Sequence, residues 1–433
     1  MSKIQKARGT YDVLPEEQKY WSFIIKTFEE ASQASGFQKI TTPIIEKALI
    51  FERPIGKGTD VIDKEMYVLE SKKDDIKEKL VLRPEATASV VRAYIENGLK
   101  TLSQPVSLYY HGPMFRHDRP QKGRFRQFYQ LGAEVLGEMD PIIDAQIISF
   151  VFRLLKEFKI GDFTIQINSI GDSKTREKYT KKLKTYYKSH LKNLCSYCTA
   201  RFNKSPLRLL DCKNQNCQKY KEGAPQIIDF LSSYDKEHFT EVLEYLDELE
   251  IPYELNTHLV RGLDYYTRTV FEVWPKDQKD IGDPAGFTLV AGGRYDDLAE
   301  ILGEKKVPGI GFAFGVERII ELLKTNEAQV FHHDMPDVFV VQLGKLAKKK
   351  SLKLIEKLRE NGLKVVFAMG KESIKSQMKL ADKTKASLAL ILGQKEVLDG
   401  TVIVKDMSGG IQEVVDWESA TEEIKKRLPK EEI

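Results

Sequence analysis

Residues 107–137 constrain this chain more than any other stretch. They read SLYYHGPMFR, HDRPQKGRF and RQFYQLGAEVLG: an apolar run ending at Arg116, a basic loop with Arg119, Lys122 and Arg124, and a second apolar run returning. Side chains alternate faces along a strand, so Tyr129, Leu131, Ala133 and Val135 share one side and Gln130, Gly132 and Glu134 the other. The first side is ordinary core. The second offers an amide, a gap without a side chain and a carboxylate, with arginines nearby. Such a surface suits a small polar ligand that carries phosphate. A hairpin with one wet face satisfies the same pattern, so residues elsewhere must decide.

At 433 residues there is room for roughly two to four domains, each with its own core. No run of about 18 apolar residues occurs, and the opening MSKIQKARGTYDVLPEE lacks the apolar stretch of a signal peptide. The expectation is a cytoplasmic protein without membrane association. A net charge of +4 leaves any nucleic-acid surface to local segregation of charge.

Residues 13–35 have the period of a helix through Trp21, Ile24, Ile25, Phe28 and Ala31. GFQKITTPIIEKALIF reads as a strand broken at Pro43, FERPIGKGTDVIDKEMYVLE as a loop or hairpin, and KKDDIKEK as a solvated charge run. VLRPEATASVVRAYIENG passes from strand to helix with Thr87 at the helix start. A helix through Ile143, Ile147, Val151, Leu154 and Phe158 follows the hairpin, and FTIQINSIGD is a strand. Between about 172 and 252 the composition shifts to lysine-rich helices around four cysteines, as an insertion would. THLVRGLDYYTRTVFEVW reads as a strand pair, FTLVAGGRYDDLAEIL as strand, Gly-Gly turn and helix, and VPGIGFAFGVERIIELL as a glycine-rich strand entering a helix. A polar linker at 326–336 separates a last α/β unit, 337–433. There VFVVQL, KVVFAM and LALILG alternate with helical stretches, the pattern of a mainly parallel sheet.

Glu85, Arg116, Gln130, Glu134, Arg261, Asp264, Tyr265, Tyr266, Arg268, Arg294 and Arg318 are the polar residues on or beside these strands. A single strand arginine is usually a weak surface ion pair. LVRGLDYYTRTVFE is harder to dismiss: strand alternation would send Arg261 and Tyr265 to one face and Asp264 and Tyr266 to the other, and buried charges need partners. No G-x-x-x-x-G-K-[ST] loop, no correctly spaced G-x-G-x-x-G, no nucleophile elbow and no H-E-x-x-H is present. Phosphate chemistry would therefore rest on arginines, carboxylates and glycines.

These residues carry a resemblance. GFQKITTPIIEK, GPMFRHDRPQKGRFRQFYQLGAEVLG and GIGFAFGVERII resemble motifs 1, 2 and 3 of the class II aminoacyl-tRNA synthetases. LVRGLDYYTRTVFE and AGGRYDDL resemble the two stretches peculiar to the histidyl-tRNA synthetase family, with Asp297 where that family often has a small residue. The resemblance implies an α+β catalytic domain with an antiparallel sheet flanked by helices (residues 1–171 and 253–325). It also implies a helical insertion (172–252), a C-terminal α/β anticodon-binding domain and a homodimer built on motif 1. It implies ligation of L-histidine to tRNA(His) through histidyl-adenylate, with ATP and Mg²⁺. Arg116 and Arg261 would hold the α-phosphate, Arg116 also the histidine carboxylate, and Arg318 the γ-phosphate. Arg124 would meet ATP or the tRNA end. Glu85, Ala86, Thr87 and Gln130 would meet the amino group, Glu134 and Tyr266 the two imidazole nitrogens, and Tyr265 would line the pocket.

The spacing Cys195-x2-Cys198, thirteen residues, Cys212-x4-Cys217 resembles a four-thiolate structural zinc site; buried, incidental thiols are the plainer alternative. In the last unit, residues 345–385 hold thirteen Lys or Arg against four Asp or Glu, an excess that suits RNA phosphates. A second functional reading is a regulatory histidine-sensing paralogue without tRNA charging; such paralogues usually lack the anticodon-binding domain.

Overall fold

A computed structural model describes residues 3–56, 59–70, 78–119, 123–276, 287–326, 335–370 and 373–428. Lys122, residues 72–77 of the 72–79 charge run and residues 327–334 of the 326–336 linker lie outside these residues. Two units separate by contacts, Met1–Val330 and Phe331–Ile433.

The first unit is organised by eight strands: β1 (Gln38–Lys39), β4 (Val106–Phe115), β5 (Gln127–Leu136), β6 (Phe163–Ser169), β7 (Tyr253–Leu255), β8 (Thr267–Pro275), β9 (Val290–Arg294) and β10 (Gly309–Gly315). Their spatial order is β1-β4-β5-β10-β9-β8-β6-β7. The six central strands are antiparallel, and β1 and β7 add parallel pairs at the two edges. A separate two-stranded ladder joins β2 (Ile45–Lys47) to β3 (Leu80–Leu82). Buried Arg83 ties that ladder to the sheet, donating to the Thr42 carbonyl at 2.8 Å and the Pro113 carbonyl at 3.0 Å.

The period-2 pattern of the hairpin governs the layers. Leu131, Ala133 and Val135 of β5 join Phe312, Phe314, Phe271 and Val273 in one core. Trp21, Ile24 and Phe28 of the helix Gln18–Ala34 and Ile147, Val151 and Leu154 of the helix Ile142–Glu157 cover it. The helix Ser233–Glu248, assigned to the insertion from sequence, adds Phe239, Val242 and Leu246 to the same core. On the opposite face cross-strand partners are small: Gly132 faces Ala313, which faces Ala291, and Glu134 faces Gly311, which faces Gly293. A floor without bulk results.

Three local expectations change. Within 51–70, expected as a loop or hairpin, the described residues include most of the helix Leu49–Ile55 and a further turn, Val61–Glu65; Ile50, Phe51 and Ile55 are buried at helical spacing. Gly292 and Gly293 lie within β9 instead of turning, because a Cβ on Gly292 would stand 2.5 Å from the Phe271 ring and 2.6 Å from the Gly311 carbonyl. Residues 257–266 are not a strand. Side chains take up their backbone groups in place of a ladder: Asn168 donates to the Leu259 carbonyl at 3.1 Å, Arg176 to that of Asp264 at 2.8 Å, and the Asn256 side chain accepts from the His258 amide at 3.2 Å.

Just beyond, β8 carries a bulge between Thr267 and Val270, with Arg268 at φ 49°. The strained residue is held by Asp235 at 2.9 Å and by Asp296. Asp296 also meets Arg294 at 3.4 Å, and Arg294, wholly buried, pairs with Asp144 at 2.6 Å. Arg268 and Arg294 are thus occupied in a buried charge network.

The second unit has strand order β12 (Val365–Phe367), β11 (Val338–Gln342), β13 (Leu388–Leu392), β14 (Thr401–Asp406), β15 (Gln412–Asp416). β11 pairs parallel with β12 and β13, whereas β14 and β15 add antiparallel pairs, so the sheet is mixed. Its last hairpin turns at Ser408 and Gly409, whose amides donate to Asp406 at 2.7 and 3.2 Å. β11 and β13 are buried throughout, with Val338 and Val340 on one core and Phe339 and Val341 on another. Among the described residues no helix is long and apolar enough to cross a membrane.

Replacing Asp296 by alanine leaves two buried guanidiniums each one carboxylate short. We expect a loss of about 3–5 kcal/mol in urea unfolding; a loss under 1 kcal/mol would show that Asp144 and Asp235 suffice.

Candidate functional site

A cavity of about 770 Å³ opens over the small-residue floor of the first unit. Glu85, Thr87, Arg116, Arg124, Gln130, Arg261, Tyr265, Tyr266 and Arg318 line it. Residues 160 and more apart in sequence therefore converge. Ala86 and Glu134 do not line it. Ala86 is buried backbone at the start of the helix Thr87–Glu96, and Glu134, on the floor's own face of the sheet, is fully buried behind Thr87 and Tyr295.

Glu134 is enclosed by hydroxyls. Its Oε1 accepts from Thr87 Oγ1 at 2.7 Å and Tyr110 OH at 3.2 Å, and its Oε2 from Tyr295 OH at 2.5 Å. Gly311 makes room for it: a Cβ there would fall 1.7 Å from Oε2. Burial raises the Glu134 pKa to about 8 despite these donors. Glu85, also buried, accepts from the Thr87 and Ala88 amides at 2.7 and 2.9 Å, an arrangement that uses free N–H groups at a helix start. Tyr265 OH stands 3.5 Å from its Oε2. Burial raises the pKa of Glu85 too. The Gln130 side-chain oxygen Oε1 is buried with no hydrogen-bond partner among the described residues.

The cations gather at the other end. Arg116 donates to the Pro84 carbonyl at 2.8 Å and lies 5.3 Å over the Phe128 ring. Arg124 meets Asp118 at 3.2 Å. Arg261 packs 5.4 Å over Tyr266 and pairs with Glu272, and its Nε has no partner among the described residues. Arg318 lies 5.4 Å over Phe287, and its Nη1 donates to the Thr288 carbonyl. Burial, with Arg124 and Arg116 close by, lowers the Arg318 pKa to about 10. A guanidinium pushed down in this way has more positive than negative charge around it.

Sequence alternation would have parted Tyr265 from Tyr266, but the loop at 257–266 brings both rings to the cavity, 4.8 Å apart. Tyr110, Tyr295, Glu272 and Thr288 were missed. The tyrosines look like ordinary core residues, and no short-range pattern signals a hydroxyl aimed at a carboxylate on another strand. The insertion was missed as a wall as well: Arg201, which pairs with Asp60, and Arg208, Asp211 and Lys213 stand at the cavity.

Cys195 and Cys212 stand there too. The four cysteine sulfurs lie within 4.8 Å of one another, with Cys195 and Cys212 at 3.8 Å. Tetrahedral sulfurs about 2.3 Å from a zinc ion would be about 3.8 Å apart. The donor set fits such an ion.

Ionising Glu134 costs the folded chain more than the unfolded one, so its contribution to stability falls as pH rises from the ordinary 4.5 to about 8. We expect urea unfolding to show a steeper decline over that range in the parent than in Glu134→Gln; equal slopes would mean that Glu134 ionises normally.

The comparisons agree along the whole chain. Residues 9–319 match the family model described as histidyl-tRNA synthetase, and 337–427 that of an anticodon binding domain. A histidine–tRNA ligase of Halothermothrix orenii is 43% identical over 423 residues, 98% of this chain and 99% of that one. Another, from Dehalococcoides mccartyi, is 41% identical over 424 residues, 98% and 100%. The crystal structure of apo S. aureus histidyl-tRNA synthetase superposes with a TM-score of 0.82 at 34% identity, covering 98% of this chain and 100% of that one. The chain belongs to the histidyl-tRNA synthetase family, with a class II catalytic domain and a C-terminal α/β anticodon-binding domain.

Proposed function

We propose that this histidine–tRNA ligase activates L-histidine in the 770 Å³ cavity and transfers it to tRNA(His). One observation supports this most: four arginines meet a buried carboxylate-and-tyrosine pocket across a floor of glycine and alanine. A histidine carboxylate oxygen attacks the α-phosphorus of ATP, the bond to the bridging oxygen breaks, and pyrophosphate leaves. A ribose hydroxyl of the terminal adenosine then attacks the histidyl carbonyl and AMP leaves. The attacking carboxylate is already ionised, so the first step needs alignment and charge stabilisation more than a base.

Arg116 and Arg261 are the catalytic groups in this reading, set to neutralise charge growing at the α-phosphate, with Arg116 also on the histidine carboxylate. Arg318 takes the γ-phosphate and Arg124 the nucleotide or tRNA end. Glu85, Thr87 and Gln130 receive the ammonium group; Ala86 holds the backbone between them. Glu134 and Tyr266 take the imidazole nitrogens, beside Tyr265. Such a site rejects isosteres, since its buried polar groups would be left unpaired.

Mg²⁺ accompanies ATP as its counter-ion. Zn²⁺ at Cys195, Cys198, Cys212 and Cys217 would be structural, because four thiolates leave no open coordination position. The same reading includes a cytoplasmic homodimer, on the resemblance of GFQKITTPIIEK to motif 1. The match over 337–427 disfavours a regulatory histidine-sensing paralogue without charging activity.

ATP–pyrophosphate exchange should depend on histidine, and on none of the other nineteen amino acids. Arg261→Ala should lower it about 10²–10³-fold while calorimetry shows histidine affinity within about twofold. Lost folding or lost histidine binding would misplace this arginine. Elemental analysis should find one zinc per chain, reduced by Cys198→Ser; a fully active, metal-free protein would make the thiols mere packing.

A further inference from the structure

We propose that Glu272 is a positioning residue that sets the guanidinium of Arg261 for adenylation, and that Thr288 latches it while anchoring Arg318. The inference rests on the assignment of Arg261 and Arg318 to phosphate groups. Glu272 of β8 belongs to the same cross-strand row as the cavity floor, facing Ala291, which faces Ala313, which faces Gly132. Its carboxylate collects three donors. One oxygen accepts from Arg261 Nη1; the other accepts from Trp274 Nε1 at 2.8 Å and Thr288 Oγ1 at 2.9 Å. Both side chains of the Arg261–Glu272 pair are 13% exposed, so little water competes for them.

Three donors on one carboxylate leave it little rotational freedom, and it passes that constraint to Arg261. That guanidinium already lies over the Tyr266 ring, its central carbon 5.4 Å from the ring centre. Ring and carboxylate together define an orientation that neither would give alone. Thr288 then links the two ends of the phosphate chain. Its hydroxyl holds Glu272, while its carbonyl accepts from Arg318 Nη1. Two oxygens of one residue thus set the distance between the α- and γ-phosphate contacts. In such a device a displacement of about 1 Å at the carboxylate costs rate rather than substrate affinity.

The test is single-turnover histidyl-adenylate formation by the full-length protein, with MgCl2 varied at fixed ATP. Glu272→Gln should slow the step about 10- to 100-fold, with the histidine dissociation constant within about twofold. Thr288→Val keeps the carbonyl and should slow it roughly three- to tenfold, with unfolding unchanged. In an Arg261→Ala background Glu272→Gln should alter the remaining rate by less than about twofold, because the two act as one unit. Fully multiplicative losses in the double variant would overturn the proposal. So would an unchanged or faster rate in Glu272→Gln, or a raised Mg²⁺ requirement, which would put the carboxylate on the nucleotide's metal. An Arg261→Ala protein of normal rate would instead defeat the underlying assignment, whatever Glu272 does.

Discussion

The enclosed carboxylate of Glu134 couples the parts of the catalytic unit. A carboxylate taken out of water costs several kcal/mol unless donors replace the water. Here each donor comes from a different element: Thr87 from a helix start, Tyr110 from β4, and Tyr295 from the segment after β9. The space comes from a fourth, Gly311 on β10. A one-residue slip of any of these strands would bring a side chain from the other face and leave the charge unpaired. The register of the sheet and the chemistry of the pocket are therefore one constraint.

The two ends of the cavity are built on opposite principles. Around Glu134 and Glu85 donors are already in place, so the polar groups hold their geometry before any substrate arrives. At the arginine end compensation is uneven: Arg261 pairs with Glu272 although its Nε has no partner among the described residues, and burial beside Arg124 and Arg116 lowers the Arg318 pKa to about 10. A pre-satisfied end favours selection among similar side chains. An unevenly compensated end favours a multiply charged anion and gains further as charge shifts during reaction. Histidine and ATP differ in the corresponding way.

What could be read in advance follows the range of the physics involved. The alternation of Gln130, Gly132 and Glu134 is a period-2 signal within one strand, so the face they share was legible. Gly311 was legible only as part of a glycine-rich strand, and the structure shows Glu134 taking the space its missing side chain leaves. The loop at 257–266 was not, because β-branched and aromatic residues imitate a strand while Asn168 and Arg176, about ninety residues away, take its carbonyls. Tyr110 and Tyr295 stayed hidden because their partner Glu134 lies on another strand, and Glu272 because Arg261 and Thr288 reach it from segments outside the strands. Arg268 and Arg294 misled in the opposite sense. They looked like ligand-binding charges, but the aspartates that occupy them come from the helices beginning at 142 and 233 and from the turn after β9. The motifs named the family, whereas these side-chain contacts had to come from the fold.

The insertion then has a place beyond added mass. Cys195 and Cys212 sit with Tyr197, Lys213 and Arg201 at the cavity, and Arg201 pairs with Asp60 across from it. The helix Ser196–Lys204 itself buries only Cys198, whereas Leu209, Leu210, Ala224 and Ile227 of the neighbouring turns join the core that Tyr179, Leu183 and Tyr187 begin. Free thiols are weak hydrogen-bonding groups, so an ion held by the four sulfurs would be what cross-links these turns. Such a cross-link would brace the segments that carry Arg201 and Lys213 at the cavity. A disturbance at the thiols would be felt at the rim, while Glu134 and its hydroxyls, anchored in the sheet, would keep their arrangement.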